Sequence, residues 1–394
     1  MRTNAFRILG FVGVAAFAAA SAAIVATAAA DAPLTLHITA LSTDASRVTG
    51  GDVLLQVTSP DANVKITANG RDVSSVFHPG KEKGTIIGLV AALPNGRSTI
   101  NATSGKSTAS LEVTNYPITG PVFSGPWLKP YICQTQDFVL PDGSKLGAPL
   151  DENCSARTVV QYVYRSKNAP AAGAGRAQAA PPAADTIDDQ TNAGQPAAAG
   201  RGTAGAAGRG APAPPAFLPL ASTTSLPADV AMTTTTEGVT VPFVVRVETG
   251  TMDRGIYQSA ILFDPTSDAA PSATAAPKGW NHRLIGVHGS GCPGGWYIQG
   301  GREGVSPLDL QRLGQGYAVF VNSLNHPTNS CNAVLAGEAA MMGKEHFIEE
   351  FGVPLYTIST GGSGGAYTSL QLSDAYPGLF DGASVSATFP DALA

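Results

Sequence analysis

Five small residues, Gly361-Gly362-Ser363-Gly364-Gly365, carry the strongest chemical signal in the chain. They match G-x-S-x-G, the pattern of a serine on a very tight strand-to-helix turn. The apolar run Val353–Ser359 precedes them and a helical stretch, Ala366–Leu372, follows. On such a turn Oγ stands clear of the sheet, and the neighbours must be small because side chains would clash with the turning backbone. The N–H after the serine, here that of Gly364, points to where charge develops when a carbonyl is attacked. A Gly/Ser linker would show the same letters, so the flanking strand and helix do the discriminating.

A second constellation, His288-Gly289-Ser290-Gly291, ends the short apolar strand Arg283–Val287, about 75 residues upstream. Hydrolases with such a serine turn place their second oxyanion donor in a glycine-rich loop at this point. Backbone N–H groups at Gly289 and Ser290 suit the task, since a glycine brings no Cβ between donor and substrate oxygen. The bland alternative is a plain strand-to-loop turn. His288 itself reads as a structural member of the loop and not as the base.

The partners of the serine are harder to place. The usual chain order is nucleophile, acid, histidine, yet the last histidine, His346, precedes Ser363. His326 follows the strand Tyr317–Val321 on the correct edge of the sheet, but in the wrong order. Asp391 follows the apolar run Ala383–Phe389, at a strand's C-terminal end where catalytic groups collect. It is the candidate acid, with a solvated turn carboxylate as the alternative, while Asp374 and Asp381 read as helix-surface and strand-start residues. His346 and Glu349 lie three apart on a helix, and two residues do not make a metal site. No dinucleotide fingerprint, H-E-x-x-H or calcium-loop pattern occurs, so no cofactor and no metal are expected.

The elements that must position these groups fall into regions of different texture. Residues 1–30 read as a signal peptide, with Arg2 and Arg7 before an apolar run and Ala28-Ala29-Ala30 at a cleavage point. The expected location is therefore secreted or periplasmic, without stable membrane insertion after cleavage. Residues 31–116 alternate apolar and polar in short runs (Val53, Leu55, Val57; Val64, Ile66, Ala68), broken by Asn69-Gly70 and Pro94-Asn95-Gly96. That pattern predicts an immunoglobulin-like β-sandwich. A connecting β-rich segment, 117–166, leads to an Ala/Gly/Pro-rich insertion, 167–216, too poor in large apolar residues to form a core.

From 217 to 394 strands alternate with helical patterns, including a helix over 332–351 and one from Pro307, capped by Ser306, to Gly314. Such alternation predicts a doubly wound, mostly parallel sheet. Four cysteines in an exported chain suggest two disulfides. Pairing by proximity gives Cys133–Cys154 and Cys292–Cys331, one of three connectivities. With a net charge of −5 and no basic block, nucleic-acid binding has no electrostatic footprint.

Gly361–Gly365 followed by Tyr376-Pro-Gly-Leu-Phe-Asp-Gly382 resembles the α/β-hydrolase superfamily, closest to its tannase and feruloyl-esterase branch. More broadly, the layout resembles a family of secreted bacterial proteins defined as a domain of unknown function. There a sandwich leads through a Tyr-Pro-Ile-x-Gly-Pro stretch, here Tyr116–Pro121, into a hydrolase-like region. The resemblance implies a serine esterase acting on small or oligomeric esters. It departs at Gly362, where tannase-like enzymes carry a cysteine whose disulfide braces serine and histidine. It also implies further strands carrying the histidine, so residues 217–394 are expected to be the N-terminal part of a hydrolase domain. The alternative function is a non-catalytic secreted binding or scaffold protein, favoured by the missing downstream histidine.

Overall fold

The computed structural model describes residues 34–127, 129–169, 216–291, 298–300, 306–330 and 332–388. The expected signal peptide, most of the insertion, Cys292, Cys331 and Asp391 lie outside these residues.

Asn69 (φ 48°) and Gly70 (φ 83°) close a two-residue turn between strands Lys65–Ala68 and Arg71–Asp72. Two left-handed residues in succession match the twist of the flanking strands, hence the Asn-Gly signal. Residues 37–116 form a four-stranded and a five-stranded sheet. Val53, Leu55 and Val57 of one sheet and Ile66, Ile100 and Val113 of the other fill a single core. This unit is fastened to the rest of the chain by polar contacts. Thr49 donates its N–H (2.9 Å) and Oγ1 (2.5 Å) to Glu345, and Ser42 Oγ donates to Glu349 at 3.0 Å.

The segment after Tyr116 is largely irregular. Cys133 and Cys154 are bonded, with Cα atoms 5.2 Å apart. The buried Glu338 accepts the N–H groups of Phe123 (2.6 Å) and Ser124 (2.7 Å), and the Arg254 guanidinium lies over the rings of Trp127 and Tyr131.

An eight-stranded sheet organises the remainder. Its strands are β1 (Val159–Tyr164), β2 (Leu218–Pro219), β3 (Val244–Met252), β4 (Gly255–Leu262), β5 (Arg283–His288), β6 (Ala318–Asn322), β7 (Tyr356–Gly362) and β8 (Gly382–Ser386). They lie in the order β2-β1-β3-β4-β6-β5-β7-β8. Here the expected doubly wound, mostly parallel sheet is overturned. Pairings from β2 through β6 are antiparallel, and only β6-β5, β5-β7 and β7-β8 are parallel. The reason is local: Asp253 (φ 54°) and Arg254 (φ 66°) reverse the chain between β3 and β4 in two residues, leaving no room for a crossover helix.

Helices are correspondingly few. Among the described residues three α-helices occur: α1 (Leu310–Gly314), α2 (Ala333–Phe351) and α3 (Gly364–Ala375). No helix among them is long and apolar enough to cross a membrane. Helix α2 starts where Asn332 Oδ1 accepts from the N–H groups of Val334 and Leu335, and it stops at Gly352 (φ 95°). Helix α1 is shorter than expected, because Asp309 and not Ser306 caps it, Oδ1 accepting the Arg312 N–H at 2.9 Å.

Side chains alternate across the sheet. Ile261 and Phe320 pack with α2 and α3 residues Phe347, Phe351 and Leu372. Ala260, Leu262 and Val319 pack on the other face with Leu313 of α1.

Candidate functional site

Ser363 lies between the last residue of β7 and the first of α3, with φ 55° and ψ −122°. A non-glycine residue held there costs on the order of 1–3 kcal/mol, and such strain persists where its surroundings over-determine it. Those surroundings are visible. Strand register sets Gly361 beside His288 and Gly362 beside Ser386, and the Ser363 N–H donates to the Ser386 carbonyl at 3.1 Å. The Ser363 side chain makes no capping bond to α3 and instead lines an open cleft of about 780 Å³.

The glycines around the serine have no room for side chains. A Cβ on Gly361 would overlap Gly365, and one on Gly365 would lie 2.8 Å from the Gly289 carbonyl oxygen. A Cβ on Gly364 would overlap the Gly291 carbonyl, with its carbon at 2.9 Å. The first turn of α3 is thus seated on the backbone of the 289–291 loop. At Gly362, where the resembled esterases carry cysteine, a Cβ would meet Ser386 Oγ at 3.1 Å. The β8 hydrogen bond holds the turn from that side.

The two upstream histidines divide in role. His288 is buried, its Nε2 sits 2.8 Å from Ser359 Oγ, and its ring meets Phe380 edge-on. Burial pushes its pKa down to about 3, so it is a neutral member of the sheet core, as the sequence suggests. His326 follows β6 and lies across the 289–291 loop. A Cβ on Gly289 would overlap its ring, with Nε2 at 2.7 Å, and the residue lines the same cleft as Ser363. Its Nδ1 accepts the Thr328 N–H at 3.3 Å.

Of the expected oxyanion donors, Gly289 and Ser290 line the cleft with Ser363, and Gly364 packs against the backbone of Gly291 in the same loop. The Gly289 N–H, however, donates to the Asn325 carbonyl at 3.2 Å. Asp381, an expected strand-start residue, accepts the Thr357 N–H at 2.7 Å, near the end of β7 remote from the serine. Sequence reasoning did not place Arg312 in the cleft. Its Nη2 donates to Thr360 Oγ1 at 3.2 Å, a contact between α1 and β7 with no local signature.

Glu248, His346 and Glu350 bring ligand atoms within 4.8 Å of one another. Protein donors already occupy much of that grouping. Arg246 Nη2 bridges Glu248 (2.9 Å) and Glu350 (2.5 Å), His346 Nε2 lies 2.7 Å from Glu248, and Tyr257 donates at 2.6 Å. Burial raises the Glu248 pKa, but the hydrogen bond and charge of His346, with Tyr257 and Arg246, outweigh it and hold the group down to about 2. Burial and the neighbouring Glu248 charge raise the Glu350 pKa to about 7, so Glu248 is the firmly charged carboxylate of the cluster. The cluster shares no lining residue with the Ser363 cleft.

No curated protein matches the chain. Among solved structures, a chimeric titin Z1Z2-Z1Z2 tandem carrying a GRGDS peptide from fibronectin is 12% identical, covering 58% of this chain and 96% of that one, with a TM-score of 0.16. Titin A168169 is 10% identical, covering 59% and 95%, with a TM-score of 0.15. Neither likeness bears on the site. The sequence profile of one family matches residues 38–394, and the chain belongs to it: the tannase-like family of unknown function (DUF6351).

Proposed function

We propose that this protein is a secreted serine ester hydrolase in which Ser363 Oγ attacks the carbonyl of a small or oligomeric carboxylic ester. One observation carries the proposal: a serine in a strained, left-handed conformation between a parallel strand and a helix, open to a cleft. Membership of a tannase-like family supports esterase-type chemistry. The tetrahedral oxyanion would be met by the Gly364 N–H, at the positive end of α3, and by the Ser290 N–H. Gly289, with its N–H engaged by Asn325, shapes that loop and supports His326. His288 is buried and neutral and His326 precedes the serine in chain order, so neither is assigned as the proton acceptor. Asp391 keeps its place as the candidate acid on sequence grounds. The Cys133–Cys154 bond suits the oxidising compartment that secretion would supply.

The second function, a non-catalytic binding protein, is favoured by the same arrangement of His288 and His326. Turnover separates the two. Hydrolysis of p-nitrophenyl acetate by the full chain is expected to be slow but stoichiometrically dependent on Ser363, disappearing in Ser363→Ala. Loss of a triad member in serine hydrolases leaves roughly 10³–10⁴-fold over water. A rate identical in Ser363→Ala would leave the binding function standing.

A further inference from the structure

Among the described lining residues of the Ser363 cleft, Arg312 bears the only fixed charge. Around it stand the hydroxyls of Ser290, Thr360, Ser384 and Ser386, and no carboxylate is among the described lining residues. His288, the second ring of the lining, is neutral in this environment.

The guanidinium is anchored toward the nucleophile. Nη2 is held by Thr360 Oγ1, whose own hydroxyl donates to the Ser384 carbonyl at 2.6 Å, so the accepting end of this contact is fixed on the sheet. Thr360 precedes Ser363 by three residues, which puts their Cα atoms at most about 10 Å apart. Among the described residues the counter-charge of Arg312 is Asp309, whose Oδ2 lies 3.5 Å from Nη1. That pair is about one-third exposed, and Asp309 Oδ1 already caps α1 through the Arg312 N–H. An exposed pair of this kind is weak, whereas an arginine fork recognises an incoming carboxylate through two parallel hydrogen bonds.

We infer that Arg312 selects acidic esters, namely half-esters of short dicarboxylic acids whose free carboxylate pairs with the guanidinium while the ester carbonyl meets Ser363. The inference rests on the proposal that Ser363 is the nucleophile, and it names the substrate class of that site. The free carboxylate takes no part in bond making. It fixes the register of the acyl chain along β7, as positioning by a bidentate clamp does.

The test uses a stable amide analogue pair, so that it does not depend on turnover. Succinanilic acid and its neutral primary amide are titrated calorimetrically into the full-length Ser363→Ala chain. The acid is expected to bind at least about tenfold more tightly than the amide, as charge-assisted hydrogen bonds allow. Arg312→Gln in that background should erase the preference, Arg312→Lys should keep part of it, and Asp309→Asn, which retains a capping side chain, should raise the affinity for the acid. Equal affinities for acid and amide, or no binding of either at millimolar concentration, would overturn the inference. So would a preference that survives Arg312→Gln. If Arg312→Gln does not fold, an unchanged acid affinity in Asp309→Asn overturns it instead. An acid preference without reactivity of Ser363 toward a fluorophosphonate leaves the anion site standing and refutes the nucleophile. Reactivity without the preference does the reverse.

Discussion

Adding one methyl group at Gly364 tests the junction on which the proposed chemistry depends. On an open helix Gly→Ala gains about 1 kcal/mol, because glycine has the greater backbone entropy to lose. At Gly364 the new Cβ would overlap the Gly291 carbonyl, with 2.9 Å to its carbon and 3.2 Å to its nitrogen. All three are backbone atoms, so no rotamer change relieves the clash, and α3 or the 289–291 loop must retreat. Overpacking of this kind costs about 1–3 kcal/mol, enough to reverse the sign of the helix gain. A retreat also misplaces two oxyanion donors together, and removing one such donor costs about 10²–10³ in rate. Gly364→Ala should therefore lower the urea midpoint and slow fluorophosphonate modification of Ser363 by about 100-fold or more. Gly378→Ala is the control: φ is 87° there with nothing within 4 Å, so it strains the backbone and leaves reactivity unchanged. A Gly364→Ala chain as stable and as reactive as the parent would refute the convergence of the two loops.

Asp253 supplies a pH-dependent prediction. Both its carboxyl oxygens are buried without a hydrogen-bond partner, and burial, with Glu338 beside it, raises its pKa well above the usual range. A raised carboxyl pKa contributes stability that is complete below about pH 4 and is lost as pH climbs toward the folded value. Asp253→Asn should match the parent in thermal midpoint near pH 4 and exceed it at pH 8; an unchanged difference across that range would contradict the assignment. Reducing the Cys133–Cys154 bond, which closes a separation of 21 residues, should cost about 3 kcal/mol in denaturant titrations. A midpoint that ignores reductant would show the segment is held by its contacts with Glu338 and Arg254 alone.

Local signals in the sequence carried far. The strand-to-helix turn at Ser363, the Asn69-Gly70 turn, and the helix ending at Gly352 are each set by residues within a few positions, and each forms where expected. The sheet was less legible. Strand patterns around 244–262 were plain, but whether β4 pairs with β6, some 60 residues later, depends on long-range packing that period-2 alternation does not encode. Both Ser306 and Asp309 are good capping residues, and only the carboxylate of Asp309 meets the Arg312 N–H. His326 was legible from its place after a strand, whereas Arg312 was not, because no motif marks a side chain that a short helix brings to the cleft. The pair Cys292–Cys331 lies outside the described residues.

Chemical modification of the full chain with a fluorophosphonate, followed by peptide mapping, tests the central claim most directly. The account predicts a phosphonyl adduct on Ser363 that forms faster than on any other serine, does not form when the chain is first unfolded in urea, and is absent in Ser363→Ala. No adduct after prolonged incubation, or equal modification of folded and unfolded chains, would show that the turn does not make Ser363 a nucleophile.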